Sequence, residues 1–429
     1  MAEQSQLPAP IPRNPFRPGA GTKPLYLAGR THEQTEFVRA LNQSPLSQNI
    51  IITGLRGVGK TVLLDELKPI ATANNWLWTG NDLSEQASLT EASVATRLVV
   101  DLSTLLKPLV SYRDEELPFG FIPPTKSHKE RPLQFNDLWN IYQGTPGFDS
   151  DKLKAVLEHV ASIITPTNIK GVVFAYDEAQ NMSDHRETNQ YPLSLIVDVF
   201  ASMQKRNLKC QFLLILTGLP TLVPKLNEAR TFTERMFHTL VLDRLSDAGA
   251  REAIIRPIEI TQSTLTFSET TIQNIVKESK GYPFLVQYIC KEVFDAWIGK
   301  MTVGSAPSIP MREITAKLDQ DFFAPRWNRA TDRQQIFMQV IATLPNSNDE
   351  FTIQEITSAS RHLLTKPFNP SHATQMLGHL AEKGLIYRNR RGSYCFAVPL
   401  LASFIQRQAW DATTRRDQPS LPNATEQLS

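Results

Sequence analysis

The apolar positions of the chain predict alternating strands and helices. Three runs are apolar almost throughout: NIIITG from Asn49, GVVFAY (171–176) and QFLLILTG (211–218). Apolar residues at helical spacing follow Lys60 and recur near 91–107, over 152–164 and near 191–204. Strands that alternate with helices form a parallel sheet with helices on both faces, and its central strands are apolar on both sides. The pattern therefore predicts an α/β fold built on a parallel sheet.

After Leu245 the runs that are typical of strands stop. Residues 247–300 have the spacing of helices, with GYP at 281–283 between two of them, and a linker rich in Pro, Ser and Gly follows at 302–311. A smaller C-terminal unit comes next. In it, EFTIQEI (350–356) predicts a short strand and a helix.

The rest of this C-terminal unit predicts a second helix and a hairpin. Asn369 is suited to cap a helix that begins at Pro370. Two strand-like segments follow, around a basic turn at Asn389–Gly392. Helix, turn, helix and basic hairpin together resemble a winged helix.

These changes in pattern divide the chain of 429 residues into segments. We expect an extended, Pro-rich N-terminal arm (1–24), an α/β core (25–245) that contains an irregular insertion (108–150), an all-helical lid (246–301), a winged-helix domain (312–410) and a disordered tail (411–429).

Composition and charge are those of a soluble globular protein, with 41% hydrophobic and 21% charged residues. The net charge is +2, so a nucleic-acid partner would need a local basic surface. The N-terminal segment has no apolar run, and no run approaches the roughly 20 residues of a membrane helix. Three widely spaced cysteines fit reduced thiols. We expect a cytoplasmic protein without membrane association.

A glycine-punctuated segment joins the first strand to the helix that follows. It spells GLRGVGKT from Gly54 to Thr61 and matches GxxxxGK[ST] in the required context. In such loops backbone N–H groups surround phosphates, and the helix N-terminus adds its positive end. The residues expected to bind ATP here are Gly54, Gly57, Val58, Gly59, Lys60, Thr61 and Val62. Lys60 would reach the β- and γ-phosphates, and Thr61 would bind Mg²⁺.

Two adjacent acids, Asp177 and Glu178, end the apolar run GVVFAY. In P-loop nucleotidases a second strand delivers an acid to the Mg²⁺ ion beside the phosphate loop. An acid next to it can act as the general base that activates water. We therefore expect Asp177 to bind the metal and Glu178 to be the catalytic base. A helix N-terminus, which also favours acids, is the alternative explanation.

The order of these motifs resembles that of AAA+ ATPases, in the branch shared by origin-recognition-type initiators and the signal-transducing STAND ATPases. The resemblance covers roughly residues 25–410. LAGRTHEQ (27–34) is similar to the hhGRxxE segment that packs near the adenine in this family. The resemblance implies that Gly29, Arg30 and Glu33 lie at the edge of the nucleotide.

The same resemblance implies two further residues that act on the γ-phosphate. Thr217 ends the run QFLLIL at the sensor 1 position, where a polar side chain orients the attacking water. Arg235, in TFTERMF, stands where the family has an arginine finger that neutralises transition-state charge in a neighbouring subunit. Arg230 and Arg244 are rivals for that role. A finger of this kind implies a homo-oligomer when ATP is bound.

The segment GYPFLVQ (281–287) matches the GxP motif of STAND lids, in which the proline segment lies against the nucleotide. The match implies a nucleotide contact at Pro283. Initiators have an arginine in the lid at the sensor 2 position, and no arginine stands at 281–290. This difference favours a STAND-like switch over a replication initiator.

DNA could be contacted through residues 369–392. In DNA-binding winged helices the second helix enters the major groove and the wing contacts phosphate. The residues that would do so are His372, Gln375 and His379 on the helix and Arg388, Arg390 and Arg391 on the wing. Lys383 is the only cation of the helix and Glu382 adjoins it, so phosphate affinity would be weak. Oligomer packing or binding of a partner protein is the alternative.

Taken together, these motifs favour an ATP-dependent molecular switch that hydrolyses ATP slowly and whose nucleotide state controls its assembly. One alternative is a DNA-binding ATPase of the initiator or transposition-regulator type, which acts through the winged helix. Another is a nucleotide-binding signalling scaffold with negligible turnover, for example in defence. The sequence shows no nuclease, protease or deaminase motif. We therefore expect any effector to be a separate protein.

Overall fold

The computed structural model describes residues 13–19, 21–84, 86–108, 111–115, 128–206, 208–303, 310–390 and 392–416. The chain divides into two compact units. The first comprises Arg17–Gly54 and Val58–Thr261, and the second comprises Met1–Phe16, Leu55–Gly57 and Gln262–Ser429. Each unit is described by itself.

The first unit is built on a five-stranded parallel sheet with the strand order β2-β5-β6-β1-β7. The strands of this unit are β1 (Asn49–Gly54), β2 (Trp76–Thr79), β3 (Ser111–Glu115), β4 (His128–Pro132), β5 (Gly171–Tyr176), β6 (Gln211–Gly218) and β7 (Phe237–Leu242). Strands β3 and β4 form a separate antiparallel pair. The parallel sheet with flanking helices confirms the predicted fold class.

Nine α-helices belong to the described part of the first unit. They are α1 (Thr31–Leu41), α2 (Lys60–Ala73), α3 (Glu91–Leu106), α4 (Phe135–Gly144), α5 (Asp149–Ile164), α6 (Pro192–Lys205), α7 (Leu222–Ala229), α8 (Thr233–Met236) and α9 (Asp247–Ile260). Helices α3 to α7 contribute buried residues to one large apolar core with strands β5 and β6. Burial on both faces explains why these strands are apolar throughout.

Register within the sheet brings the carboxyl ends of three strands to one edge. Ile52 of β1 pairs with Thr217 of β6. Tyr176 of β5 pairs with Leu216, the residue before Thr217. The glycine-rich loop after β1, the acids after β5 and the threonine at the end of β6 therefore meet at the same edge. In open α/β sheets this edge is where ligands bind.

Where the structure describes it, the insertion over 108–150 is more regular than the sequence suggests. Besides the β3–β4 pair it contains α4 and the start of α5. Asp137 organises the start of α4, because its carboxylate binds Arg131 through two hydrogen bonds of 2.8 and 2.7 Å and accepts the backbone N–H of Gln134 at 2.8 Å. The expectation of an irregular segment was wrong for α4, which buries Leu138 and Tyr142 one helical turn apart.

The second unit is mainly helical. Its elements are α10 (Glu269–Ser279), α11 (Pro283–Val303), α12 (Met311–Leu318), α13 (Ala324–Trp327), α14 (Asp332–Ala342), β8 (Phe351–Thr352), α15 (Ile353–Leu363), α16 (Pro370–Glu382), β9 (Ile386–Arg390), β10 (Ser393–Phe396) and α17 (Leu401–Arg416). Strand β10 lies between β8 and β9 in an antiparallel sheet. Asn369 caps α16 as the sequence predicts, accepting the backbone N–H of His372 at 2.8 Å.

Both ends of the chain are more ordered than expected where the structure describes them. The ring of Phe16 is buried and stacks on Phe267 at 5.8 Å, and Asn14 donates a 2.7 Å hydrogen bond to Asp295 of α11. Helix α17 continues to Arg416, so the expected disordered tail cannot begin at residue 411. Residues 1–12 of the arm and 417–429 of the tail lie outside the described residues. Among the described helices, none has the length and apolar character needed to cross a membrane.

Candidate nucleotide-binding site

The glycine-rich loop leaves β1 at Gly54 and enters α2 at Lys60. Gly57 and Gly59 have backbone φ angles of 80° and 93°, in the left-handed region where a side chain would be strained. This conformation lets the loop turn directly into the first turn of α2. The first N–H groups of a helix have no partner within the helix itself, and such groups are common donors to a phosphate.

Lys60 is held in a fixed position at the base of the loop. The residue is only 8% exposed, and its Nζ donates a 2.9 Å hydrogen bond to the carbonyl oxygen of Gly54. Val58 is buried beside it, whereas Val62 in α2 is half-buried. A lysine ordered in this way needs little rearrangement to contact a phosphate, because its side chain already lies across the loop.

Thr61 and Asp177 are brought together although 116 residues separate them. The Thr61 hydroxyl donates a 2.5 Å hydrogen bond to Oδ2 of Asp177. Asp177 is 3% exposed, and burial raises the pKa of its carboxyl, while the hydrogen bond from Thr61 and the charge of Lys60 oppose that rise. A buried carboxylate with a hydroxyl beside it is a donor set that suits Mg²⁺, because both groups offer hard oxygen atoms.

Glu178 lies in a different environment from its neighbour. Its φ angle is 52°, a left-handed conformation that costs a non-glycine residue about 1 kcal/mol. The backbone N–H of Glu178 donates a 2.8 Å hydrogen bond to Oδ1 of Asp177, and its side chain is exposed. The turn therefore separates the two carboxylates: Asp177 is buried beside the loop and Glu178 is open to water.

Thr217 is fully buried at the end of β6. Within the described residues, its Oγ1 has no hydrogen-bond partner. Asp177 directly follows Tyr176, which pairs with Leu216, so Thr217 lies at the level of Asp177 on the adjacent strand. A buried hydroxyl without a partner is costly, so its presence calls for an explanation. Its place beside the acids fits a group that binds a ligand.

Arg30 supports the glycine-rich loop from within the protein. Its guanidinium is 6% exposed and donates hydrogen bonds of 2.9 Å to the carbonyl of Val58 and 2.7 Å to that of Asp243. Glu33 lies 3.4 Å away. Gly29 adopts a φ angle of 63° just before it. The arginine thus connects the loop to the end of β7, a role that the motif alone does not reveal.

The three arginines considered for the finger differ in their partners. Arg230 binds Asp198 through hydrogen bonds of 2.9 and 2.6 Å, so its guanidinium is already occupied. Arg235 lies on the short helix α8 and is exposed. Within the described residues, no hydrogen bond or ion pair involves the side chains of Arg235 and Arg244. Both are therefore free to act on a second molecule, whereas Arg230 is not.

The motif GYP lies at the start of α11, in the second unit. Pro283 begins that helix, and Gly281 before it has a φ angle of 76°. The backbone N–H of Phe284 donates a 3.2 Å hydrogen bond to the carbonyl of Gly57, which belongs to the same unit. The residue after Pro283 thus contacts the tip of the glycine-rich loop.

The residues expected to contact DNA have only a modest cationic character where they are described. Gln375 and His379 are exposed on α16, as is Arg388 on β9, and His372 is half-buried with its ring 5.3 Å from that of Phe368. Lys383 donates hydrogen bonds of 2.9 Å to the carbonyl of Arg329 and 2.8 Å to Gln334, so its ammonium is engaged. The side chains of Arg390 and Arg391 lie outside the described residues.

A cavity of about 670 Å³ is lined by residues that follow the two acids in the sequence, and not by the glycine-rich loop. Its lining residues include Asp184, Lys225 and Arg230. Asp184 is satisfied by the backbone N–H groups of Leu193 and Ser194, and Arg230 by Asp198. The glycine-rich loop is the better candidate for a nucleotide, because it leads into a helix N-terminus, whose backbone N–H groups are of the kind that bind phosphate.

The sheet order, the loop geometry and the Thr61–Asp177 pair define a protein with the fold of AAA+ P-loop ATPases. Solved structures of low sequence identity share it. A Walker-type ATPase of Pyrococcus abyssi matches with a TM-score of 0.55 at 16% identity, covering 91% of this chain and 98% of that one. The ADP form of the Aeropyrum pernix ORC2 protein matches with a TM-score of 0.53 at 13% identity, covering 91% and 97%.

Comparisons by sequence cover less of the chain. Residues 320–405 match a family model described as "Domain of unknown function (DUF8462)". No curated protein matches the sequence. The likeness to solved structures therefore establishes the fold, and the function has to be argued from the site.

Proposed function

We propose that this protein is an ATP-dependent molecular switch that binds Mg²⁺–ATP and hydrolyses it slowly. The observation that carries the proposal is the 2.5 Å hydrogen bond between Thr61 and Asp177, because it joins the two expected Mg²⁺ ligands at the start of α2. Lys60 and the backbone N–H groups of the loop are the phosphate-binding groups. Bound Mg²⁺ would neutralise charge on the phosphates.

The residues around the loop have separate roles in hydrolysis. Glu178 is exposed and can accept the proton of an attacking water. Thr217 has a buried hydroxyl without a partner and can hold that water in line. Arg235, exposed and unpaired within the described residues, can contribute a positive charge to the site of a neighbouring copy. Oligomerisation in the ATP state follows from that last assignment.

Phosphate release from ATP by purified protein tests this proposal. Replacing Glu178 with Gln keeps the shape of the side chain and removes the base, so turnover should fall by about 10²-fold or more while ATP stays bound. Glu187→Gln makes the same chemical change at an exposed position of the same unit and should leave turnover unchanged. Wild-type turnover by the Glu178→Gln variant would overturn the assignment of the base.

Absence of phosphate release by the wild-type protein would have a different meaning. If ATP still bound, it would favour a nucleotide-binding signalling scaffold with negligible turnover. Oligomeric state measured by light scattering with ATP, with ADP and without nucleotide tests the switch itself. An assembly that is the same in all three conditions would contradict it.

DNA binding is a second candidate, supported by the arrangement of α15, α16 and the β9–β10 hairpin, which we interpret as a winged helix. Gln375 and His379 are exposed on α16, and Arg388 is exposed on the hairpin. A gel-shift titration of duplex DNA at low salt, with and without ATP, tests it. Binding that Arg388→Glu weakens and salt abolishes would support DNA contact. If no binding is seen, a partner protein or a second copy becomes the better choice.

A further inference from the structure

Gln180, two residues after the expected base, makes a bridge that the motifs do not account for. It lies in the short 3₁₀ turn Ala179–Asn181. Its Nε2 donates a hydrogen bond to Oε2 of Glu178. Its Oε1 accepts the backbone N–H of Leu219 at 2.9 Å. One side chain thus connects the carboxylate of Glu178 to the backbone just beyond β6.

The backbone around this bridge is shaped to admit it. A Cβ atom at position 218 would lie 2.6 Å from Oε1 of Gln180, closer than side chains approach, so Gly218 leaves the space that the amide needs. Leu219, whose N–H binds the amide, comes two residues after Thr217. The bridge therefore ends on the segment that also carries the buried hydroxyl of the site.

Lys225 fixes the turn from the other side. Its Nζ, on α7, donates hydrogen bonds of 2.7 Å to the carbonyl of Gln180 and 2.8 Å to the hydroxyl of Ser183. Burial lowers the pKa of this lysine. The main chain of Gln180 is held by Lys225, and its side chain is held by Leu219, so its amide has little freedom to move away from Glu178.

We propose that Gln180 is a positioning residue, which holds the Glu178 carboxylate in one orientation and at a fixed separation from Thr217. An exposed glutamate otherwise samples several rotamers, which lowers the fraction of time that its carboxylate points at the water. A neutral amide restricts that motion without adding a positive charge that would compete for the carboxylate. This inference rests on the proposed hydrolysis of ATP.

Two substitutions separate positioning of the base from simple support of the loop. Gln180→Glu has nearly the same shape and keeps an oxygen that can accept the N–H of Leu219, but it cannot donate to Glu178 when ionised and repels it. Gln180→Ala removes both contacts. If Gln180 positions Glu178, both variants should lower kcat by about ten-fold or more, because misplaced reacting groups lose rate steeply. The dissociation constant for ATP should stay within about two-fold, since neither contact involves the loop.

Hydrogen exchange at the amide of Leu219, measured without nucleotide, reports the bridge independently of activity. It should speed up in Gln180→Ala and stay slow in the wild type and in Gln180→Glu. A double-mutant cycle adds the decisive comparison. In a Glu178→Gln background, Gln180→Ala should cause no further loss of kcat, because a residue that acts only through Glu178 has nothing left to position.

Each outcome decides the inference. Wild-type kcat in Gln180→Glu would overturn it, and so would an equal loss of kcat and ATP affinity, which indicates a merely structural role. A further loss of kcat when Gln180→Ala is added to Glu178→Gln would also overturn the inference. If the wild-type protein releases no phosphate, the proposed function fails and this role of Gln180 fails with it. Turnover by the wild type together with unchanged Gln180 variants would overturn the inference alone.

Discussion

The hydroxyl of Thr61 lies 2.5 Å from the carboxylate of Asp177, and this contact joins the start of α2 to the end of β5. It depends on the sheet order, because β6 lies between β1 and β5 and brings both strand ends to the same edge. Neither residue on its own would indicate a metal site. Their contact makes the edge a metal-binding candidate and supplies the first prediction.

Thr61→Val, which keeps the shape and removes the hydroxyl, should weaken Mg²⁺-dependent ATP binding by about 10- to 100-fold. The reason is that a hydrogen bond or ligand contact to a charged group is worth about 1.5–3 kcal/mol. Titration of a fluorescent ATP analogue with and without Mg²⁺ measures the effect. Thr61→Ser keeps the hydroxyl and is the matched control. Equal Mg²⁺ dependence in the Val variant and the wild type would remove Thr61 from the metal site.

Arg30→Ala should destabilise the first unit by about 3 kcal/mol or more, because it leaves the carbonyls of Val58 and Asp243 and the carboxylate of Glu33 without their buried donor. Denaturant unfolding followed by circular dichroism measures the change. Arg39→Ala removes an arginine that is largely exposed and whose ion pair, among the residues that the structure describes, is with Glu36, so it should cost less than about 1 kcal/mol. Equal effects of the two substitutions would contradict a bracing role for Arg30.

The central strands and the glycine-rich loop were predictable from sequence because their signals are local. β5 and β6 are buried on both faces, so their apolar runs mark them directly. The two outermost strands of the sheet, β2 and β7, were missed. β2 has only four residues, and β7 alternates between buried and exposed positions, with Val241 68% exposed. A short or half-exposed strand at a sheet edge has no apolar run to reveal it.

The contacts that orient the site could not be predicted from the motifs. Gln180 reaches Glu178 because the left-handed turn at Glu178 folds the chain back, and backbone conformation of this kind has no sequence signal at a glutamate. The partners Leu219 and Lys225 come from a different strand and helix. Arg30 was assigned to the edge of the nucleotide by its motif, and its hydrogen bonds to Val58 and Asp243 appear only when β7 is in place.

Arg235→Ala should abolish most ATP turnover while leaving ATP binding intact, because an arginine finger acts on the site of a neighbouring copy. An equimolar mixture with Glu178→Gln protein gives the sharpest measurement. In mixed oligomers, a site with an intact base can receive the arginine of the Glu178→Gln copy. The mixture should therefore regain a measurable part of the turnover that each variant lacks alone.

The control for this experiment is Arg230→Ala. Its arginine is engaged by Asp198 and Ser194 inside one molecule, so the substitution should lower stability without producing complementation in mixtures. If the Arg235→Ala and Glu178→Gln mixture shows no recovery, Arg235 is not the finger. The same mixing experiment would then be repeated with Arg244→Ala, since Arg244 is likewise unpaired within the described residues.

His159 gives a prediction for the pH dependence of stability. Burial lowers the pKa of this imidazole below its ordinary 6.5, and within the described residues its Nε2 has no hydrogen-bond partner. The unfolded chain then binds a proton more readily than the folded protein as pH falls below about 6.5, so stability should fall there, by at most about 1.4 kcal/mol per pH unit. The free energy of unfolding, measured between about pH 7.5 and pH 5, should show this loss.

His159→Gln isolates that contribution, because glutamine does not titrate and the other histidines contribute equally to both proteins. Above the ordinary pKa, the difference in unfolding free energy between wild type and variant should be constant. As pH falls through that pKa, the wild type should lose stability relative to the variant. A difference that moves in favour of the wild type on acidification would mean that His159 is protonated in the folded protein. Asp137, which favours the charged imidazole, would then outweigh burial.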